Sequence, residues 1–129
     1  MSAAQIVLSA ILTLIVLLIA KRQWSLRGLT RYSPADVADR MKRSGATVLL
    51  DVRTSAERSR NNIKGSIHIP LHEIGRRMSE LEKYKGKEII CYCQSGNRSL
   101  VAAARLKRLG FTTANLDGGI VEWNSSGLR

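Results

Sequence analysis

Residues Ala3 to Ala20 of this 129-residue chain are almost wholly aliphatic, broken only by Gln5, Ser9 and Thr13. As a helix the run is roughly 27 Å long at about 1.5 Å per residue, close to the hydrocarbon thickness of a bilayer. The rest of the chain is too small to bury every face of such a helix. A secretion signal has a basic segment ahead of a shorter apolar core and a small-x-small cleavage site behind it. Here no Lys or Arg precedes the run, and Leu18-Ile19-Ala20-Lys21 is a poor cleavage site. The basic residues Lys21, Arg22, Arg27 and Arg31 come after it, and such flanks stay on the cytoplasmic side. The expectation is an uncleaved single-pass anchor over residues 1–22 with its N-terminus outside. A linker follows over 23–29, then one domain over 30–129 on the cytoplasmic side of the inner (plasma) membrane. Gln5, Ser9 and Thr13 share one helix face, which reads equally as a seam for helix association or as three tolerated polar groups.

The formal net charge is +11, all of it after the apolar run. Nucleic-acid binding is disfavoured, because aromatic residues are few and no long basic run exists. Attraction to anionic lipid, roughly 1 kcal/mol per basic group near the surface, fits Lys21 to Arg43 better than the basic residues beyond. Two cysteines cannot form a disulfide framework, and a Cys-x-Cys bridge would close a strained ring. A reduced compartment and a chemical role for a thiol fit better. His68 and His72 are too few and too poorly placed for a metal site, so no metal is expected.

Ser33-Pro34 starts a helix, with Ser as N-cap, Pro at the first position, and Ala35, Val37, Ala38 and Met41 as its apolar face up to Gly45. Thr47 to Val52 is a continuous apolar run of the kind expected in a buried parallel strand. Ile67 to Pro70 is a short extended piece, Ile74 to Tyr84 has helical spacing, and Lys87 to Tyr92 is a second strong strand. Leu100 to Leu109 reads as a helix, Thr112 to Leu116 as a strand, and Gly118-Gly119 as a turn into a short helix carrying Trp123. Strands alternating with helices predict an α/β domain with a central parallel sheet flanked by helices.

Both cysteines lie in Cys91-Tyr92-Cys93-Gln94-Ser95-Gly96-Asn97-Arg98-Ser99. Cys93 falls at the carboxyl end of a predicted strand, where open α/β sheets bind ligands. The residues after it can curl so that backbone N–H groups converge as an anion nest, completed by the positive end of the next helix. Gly96 allows close backbone approach and Arg98 adds positive charge. Such surroundings favour thiolate over thiol. Cys91, inside the strand, reads as a packed and inert thiol, with a relay role as the rival.

The segment Cys93 to Ser99 resembles the active-site loop of the single-domain rhodanese family of sulfurtransferases. Asp51-Val52-Arg53 with Glu57, Ile63-Lys64-Gly65-Ser66-Ile67-His68-Ile69-Pro70-Leu71, and Leu116-Asp117-Gly118-Gly119-Ile120 with Trp123 resemble further blocks of that family, in the same order. Two positions depart from its pattern: Asn62 stands where a His is usual, and Arg58 follows Glu57 where an aromatic is usual. Both lie outside the loop and bear on local packing.

The resemblance implies a sulfane sulfur carried from a donor such as thiosulfate to a thiol or cyanide acceptor as a Cys93 persulfide, without a cofactor. Gln94, Ser95, Gly96, Asn97, Arg98 and Ser99 would form the substrate loop. Asp51 and Arg53, at the end of the strand that should neighbour that of Cys93, read as a supporting structural ion pair or helix cap rather than as catalytic groups. A protein sulfur acceptor is compatible with the same chemistry. The rivals are a persulfide carrier or non-catalytic binding module at the membrane, and a phosphatase-like enzyme. Phosphatases on this fold carry one more residue between Cys and Arg, so the Cys-x4-Arg spacing argues for sulfur.

Overall fold

A computed structural model describes residues 1–43 and 45–128; Ser44 and Arg129 lie outside the described residues. Helix α1 (Ala3–Leu26) starts at a capping box in which Ser2 and Gln5 satisfy each other's backbone N–H groups. None of its residues is buried, and an 18-residue stretch of it has a mean hydropathy of 2.6, so it is long and apolar enough to span a membrane. It runs past the predicted boundary at residue 22, so Gln23 to Leu26, expected as linker, are helical. Only Arg27, Gly28 and Leu29 connect α1 to the first strand. The expected polar seam is partly used within the helix itself, through Gln5 in its cap and Thr13 Oγ1 donating to the Ser9 carbonyl at 2.8 Å.

The domain holds five parallel strands in the order β1-β5-β4-β2-β3: β1 (Thr30–Tyr32), β2 (Thr47–Asp51), β3 (Ile67–His68), β4 (Glu88–Tyr92) and β5 (Thr112–Leu116). The sheet is covered on both faces, as parallel sheets require. Along β4 the side chains alternate. Ile89 and Cys91, with Cys93 just beyond, pack beneath α5 (Asn97–Arg108), with Ala102, Ala103 and Leu106. Ile90 and Tyr92 face the other layer, where α2 (Pro34–Lys42) contributes Val37 and α6 (Gly119–Ser125) contributes Ile120 and Trp123. Trp123 is thus a core anchor.

Four local elements differ from expectation. Helix α2 ends at Lys42 with Arg43 already extended, ahead of the expected stop at Gly45. The helix expected over Ile74–Tyr84 is α-helical only over α4 (Ile74–Arg77) and becomes 3₁₀ over Met78–Tyr84. In a 3₁₀ turn residues three apart stack, which aligns Met78, Leu81 and Tyr84 on the core. Helix α3 (Ser55–Arg60) and strand β1 were not foreseen. The Thr54-x-x-Glu57 spacing is the signal for α3, since Thr54 and Glu57 form a full capping box. Strand β1 has three residues and exists through β5, far along the chain.

Candidate active site

β4 ends at Tyr92 and delivers Cys93 to the sheet's carboxyl edge. The chain then turns through Gln94 and Ser95 to Gly96, which caps α5 with φ +103°. A Cβ there would lie 3.2 Å from the Gly118 nitrogen, so this position needs glycine for both conformation and space. Helix α5 begins at Asn97, three residues ahead of the Leu100 start read from the sequence, which brings its first turn onto the sulfur.

The Gly96 N–H donates to Cys93 Sγ at 3.1 Å and the Ser99 hydroxyl at 3.3 Å. Burial pushes the Cys93 thiol up, but the Ser99 hydroxyl and the backbone N–H groups of Ser99, Gly96 and Ser95 outweigh it, and the net shift is downward. The thiolate is held by hydrogen bonds to its charged form and by the helix start. Gln94, Ser95 and Asn97 point their side chains outward, so among the loop side chains Ser99 is the one that reaches the sulfur. Cys91 faces the same layer two residues back, fully buried, and burial followed by the proximity of Cys93 pushes its thiol up to about 12.

Arg98 is placed differently from a free cation facing a donor. Its Nη1 and Nη2 donate to the two Glu57 carboxylate oxygens at 2.7 and 2.8 Å, a bidentate clamp between α5 and α3. The hydrogen bonds from Arg98, helped by those from Thr54, hold the Glu57 carboxyl down at about 2 against the opposing effect of burial. Glu57 is thus a loop-bracing residue that the family pattern flagged without giving it this role.

Of the ion-pair and helix-cap roles open to Asp51 and Arg53, the buried ion pair forms, Arg53 Nη2 donating to Asp51 Oδ2 at 2.9 Å and Nε to Oδ1 at 3.0 Å. Asp51 also accepts from the Arg53 backbone N–H at 2.9 Å and the Tyr92 hydroxyl at 3.0 Å. Burial raises the Asp51 carboxyl, but these bonds and the Arg53 charge prevail and lower it. Arg53 reaches on to the Asn61 carbonyl at 2.7 Å, and His68 Nε2–H donates to the Arg53 carbonyl at 2.7 Å. Arg58, in the position where an aromatic is usual, donates to the Ser66 hydroxyl at 2.7 Å and carbonyl at 2.8 Å. The departure from the pattern therefore replaces packing with polar bracing. This network lies under the loop and does not contact the sulfur.

α6 closes the site from behind. The N–H groups of Ile120 and Val121 donate to the Cys93 and Gln94 carbonyls at 2.9 and 3.2 Å. A Cβ on Gly119 would fall 2.4 Å from the Cys93 carbonyl oxygen, so that position admits only glycine. Val52 extends the β2–β4 register to lie beside Cys93 on the same face. Next to it opens a cleft of about 510 Å³ whose lining includes Val52, Leu71, His72, Arg98 and Arg105. Among the described residues no cluster of three His, Cys, Asp or Glu side chains could hold a metal ion.

Residues 33–126 match the Rhodanese-like domain family. A sulfurtransferase of Allochromatium vinosum is 37% identical over 93 residues, covering 71% of this chain and 85% of the relative. Human thiosulfate:glutathione sulfurtransferase is 30% identical over 93 residues, covering 62% of this chain and 81% of its own. The crystal structure of a rhodanese-related protein from Thermoplasma volcanium superposes with a TM-score of 0.71 at 32% identity, covering 78% of this chain and 95% of that one.

Proposed function

The chain belongs to the rhodanese-like domain family, whose relatives include sulfurtransferases, and from that premise we propose that it transfers a sulfane sulfur through a persulfide on Cys93. The observation that carries this reading is the convergence of the Gly96 N–H and the Ser99 hydroxyl on Cys93 Sγ, at 3.1 and 3.3 Å. With thiosulfate as donor, the Cys93 thiolate attacks the sulfane sulfur. A new S–S bond forms, the bond to the sulfonate sulfur breaks, and sulfite leaves with the electron pair. The loop N–H groups stabilise the persulfide anion. Cyanide or a thiolate then attacks the outer sulfur and returns the pair to Cys93 Sγ. The cycle is covalent catalysis in two half-reactions with ping-pong kinetics. A thiol acceptor is supported by the human relative, which is named for glutathione.

We further propose that α1 anchors the protein as a single-pass span, with the domain on the cytoplasmic side and the basic residues after the span facing anionic lipid. Support comes from the exposed apolar surface of α1 and from Lys21 and Arg22 at its domain-proximal end. A reporter fused at the C-terminus should behave as cytoplasmic, and the protein should resist extraction by high salt; a periplasmically active reporter overturns the orientation.

The decisive assay is thiosulfate:cyanide transfer by the detergent-solubilised full chain, run beside phosphate release from an aryl phosphate. Thiocyanate formation without phosphate release is expected. Phosphate release alone would establish the phosphatase reading. A charged Cys93 that passes sulfur to no small acceptor would make the protein a carrier.

A further inference from the structure

The two edges of the sheet hold their cations differently. Where the strands end, around Cys93, Arg53 and Arg58 pair with Asp51, Arg98 with Glu57, and Arg31 with Asp117. Where they begin, Lys42, Arg43, Lys64, Lys87, Lys107 and Arg108 are exposed and have no carboxylate partner among the described residues. Topology gathers them there. Helices α2 and α5 run back against the strands and end at Lys42 and Arg108, while Lys64 and Lys87 come just before β3 and β4. The carboxylates of this edge, Glu82 and Glu88, are held by Lys85 and Arg40, and Asp39 lies one turn back from Arg43.

The same edge is the one nearest α1. Trp24 is exposed beneath the Arg27 guanidinium, 5.6 Å from it, and follows Lys21 and Arg22. Aromatic and basic residues together at the end of an apolar helix mark headgroup level. Six residues after Trp24 the chain starts β1 at Thr30. The connection is fastened to the domain, because Leu29 is buried in the core and the Lys107 ammonium donates to the Gly28 carbonyl at 3.0 Å. All five strands are parallel, so their starts share the edge that this connection reaches. Cys93 lies beyond the far end of β4, about 17 Å along the strand from Glu88 at roughly 3.3 Å per residue.

We propose that the edge where the strands begin lies on anionic lipid headgroups, so that the Cys93 loop faces the aqueous phase on the far side of the domain. The proposal rests on the reading of α1 as a membrane span. The unpaired cations meet the lipid phosphates, and the paired ones stay with the loop. The sulfur sits about two Debye lengths above the docked edge at physiological salt, so lipid charge acts on the edge and not on the thiolate. A partner that exchanges sulfur with Cys93 therefore arrives from water. A molecule dissolved in the bilayer meets Lys87 and Arg108 instead.

The test measures backbone amide exchange of the full chain in nanodiscs of phosphatidylcholine, or of phosphatidylcholine and phosphatidylglycerol in equal parts. An anionic surface depletes hydroxide, the catalyst of exchange, and contact adds shielding. Residues 85–87 and 107–110 should exchange at least about threefold more slowly on the anionic discs, and the difference should vanish at high salt. Residues 94–98 should exchange equally on both. Lys42→Gln, Lys87→Gln and Arg108→Gln together should abolish the protection, while the protein still resists carbonate extraction and keeps its thiosulfate:cyanide transfer. Insertion without any lipid-dependent difference overturns the docked edge and leaves the anchor standing. A protein released by carbonate that still shows the difference supports the edge and overturns the anchor. Protection of residues 94–98 instead overturns the orientation. Protection of the same segments by a short RNA duplex, and not by phosphatidylglycerol, gives the edge to nucleic acid and overturns the lipid assignment.

Discussion

Cys91 and Cys93 stand two residues apart on one face of one strand, and their sulfurs have opposite chemistry. Within the body of β4, Cys91 has only core neighbours, and burial raises its thiol to about 12. At the strand's end, Cys93 is almost as inaccessible, at 1% exposure, yet its thiol is lowered. Burial therefore does not separate them. The difference is three backbone N–H groups and one hydroxyl that arrive because the chain turns at Gly96 and starts a helix. Thiolate character here is set by where the strand stops.

That contrast can be broken in several ways, in decreasing order of effect. Cys93→Ser should abolish both the sulfur added by thiosulfate and turnover, a loss of about a thousandfold or more as expected for a covalent nucleophile, read by peptide mass spectrometry and thiocyanate formation. Sulfur found on Cys91 in that variant would erase the distinction between the two positions.

Breaking the clamp that aims the loop should cost about ten- to a hundredfold in turnover for Arg98→Ala, through misplacement of the N–H groups. Arg98→Lys should recover part, because it lacks the planar fork. Full activity in Arg98→Ala would show that the loop holds its shape without Glu57. The clamp also carries a pH signature. The Glu57 carboxyl is lowered from 4.5 to about 2 in the folded protein. Its contribution to stability is fully present above about 4.5 and is lost as the pH falls through about 2. Melting temperatures of the parent should fall more steeply across that acid window than those of Glu57→Gln.

Ser99→Ala removes one donor to the sulfur and leaves the N–H groups. The pH profile of persulfide formation should move to higher pH, with a severalfold lower rate near neutrality. An unmoved profile would assign the thiolate to the backbone alone. Smallest in activity is Cys91→Ala, which should leave turnover intact and lower stability by about 1–2 kcal/mol through lost packing. A Cys91→Ala protein that charges normally yet passes no sulfur on would make Cys91 a relay.

The sheet was legible because two of its strands carry short apolar runs, within Thr47–Val52 and Lys87–Tyr92, bounded by turn signals. Cys93 was legible from its place after one of them. Arg98 was legible as a loop residue, but its partner was not, because Glu57 lies 41 residues away and only the folded chain brings α3 against α5. Asn115 was not singled out, yet it is fully buried beside Gly96 and its Nδ2 donates to Asp117 at 2.9 Å. Nothing in the local sequence separates such an asparagine from a turn residue.

The carbonyls of Cys93 and Gln94 find their partners in the N–H groups of residues 120 and 121. On a ribosome the strand, the loop and all of α5 are made before those residues exist. The rear wall of the site is added near the end of synthesis, when Gly119 lets the chain pass against the Cys93 carbonyl. A nascent chain halted before residue 119 carries the thiol and the loop sequence but leaves two loop carbonyls to water. The rear of the thiol loop is thus completed only when synthesis of the domain is nearly finished.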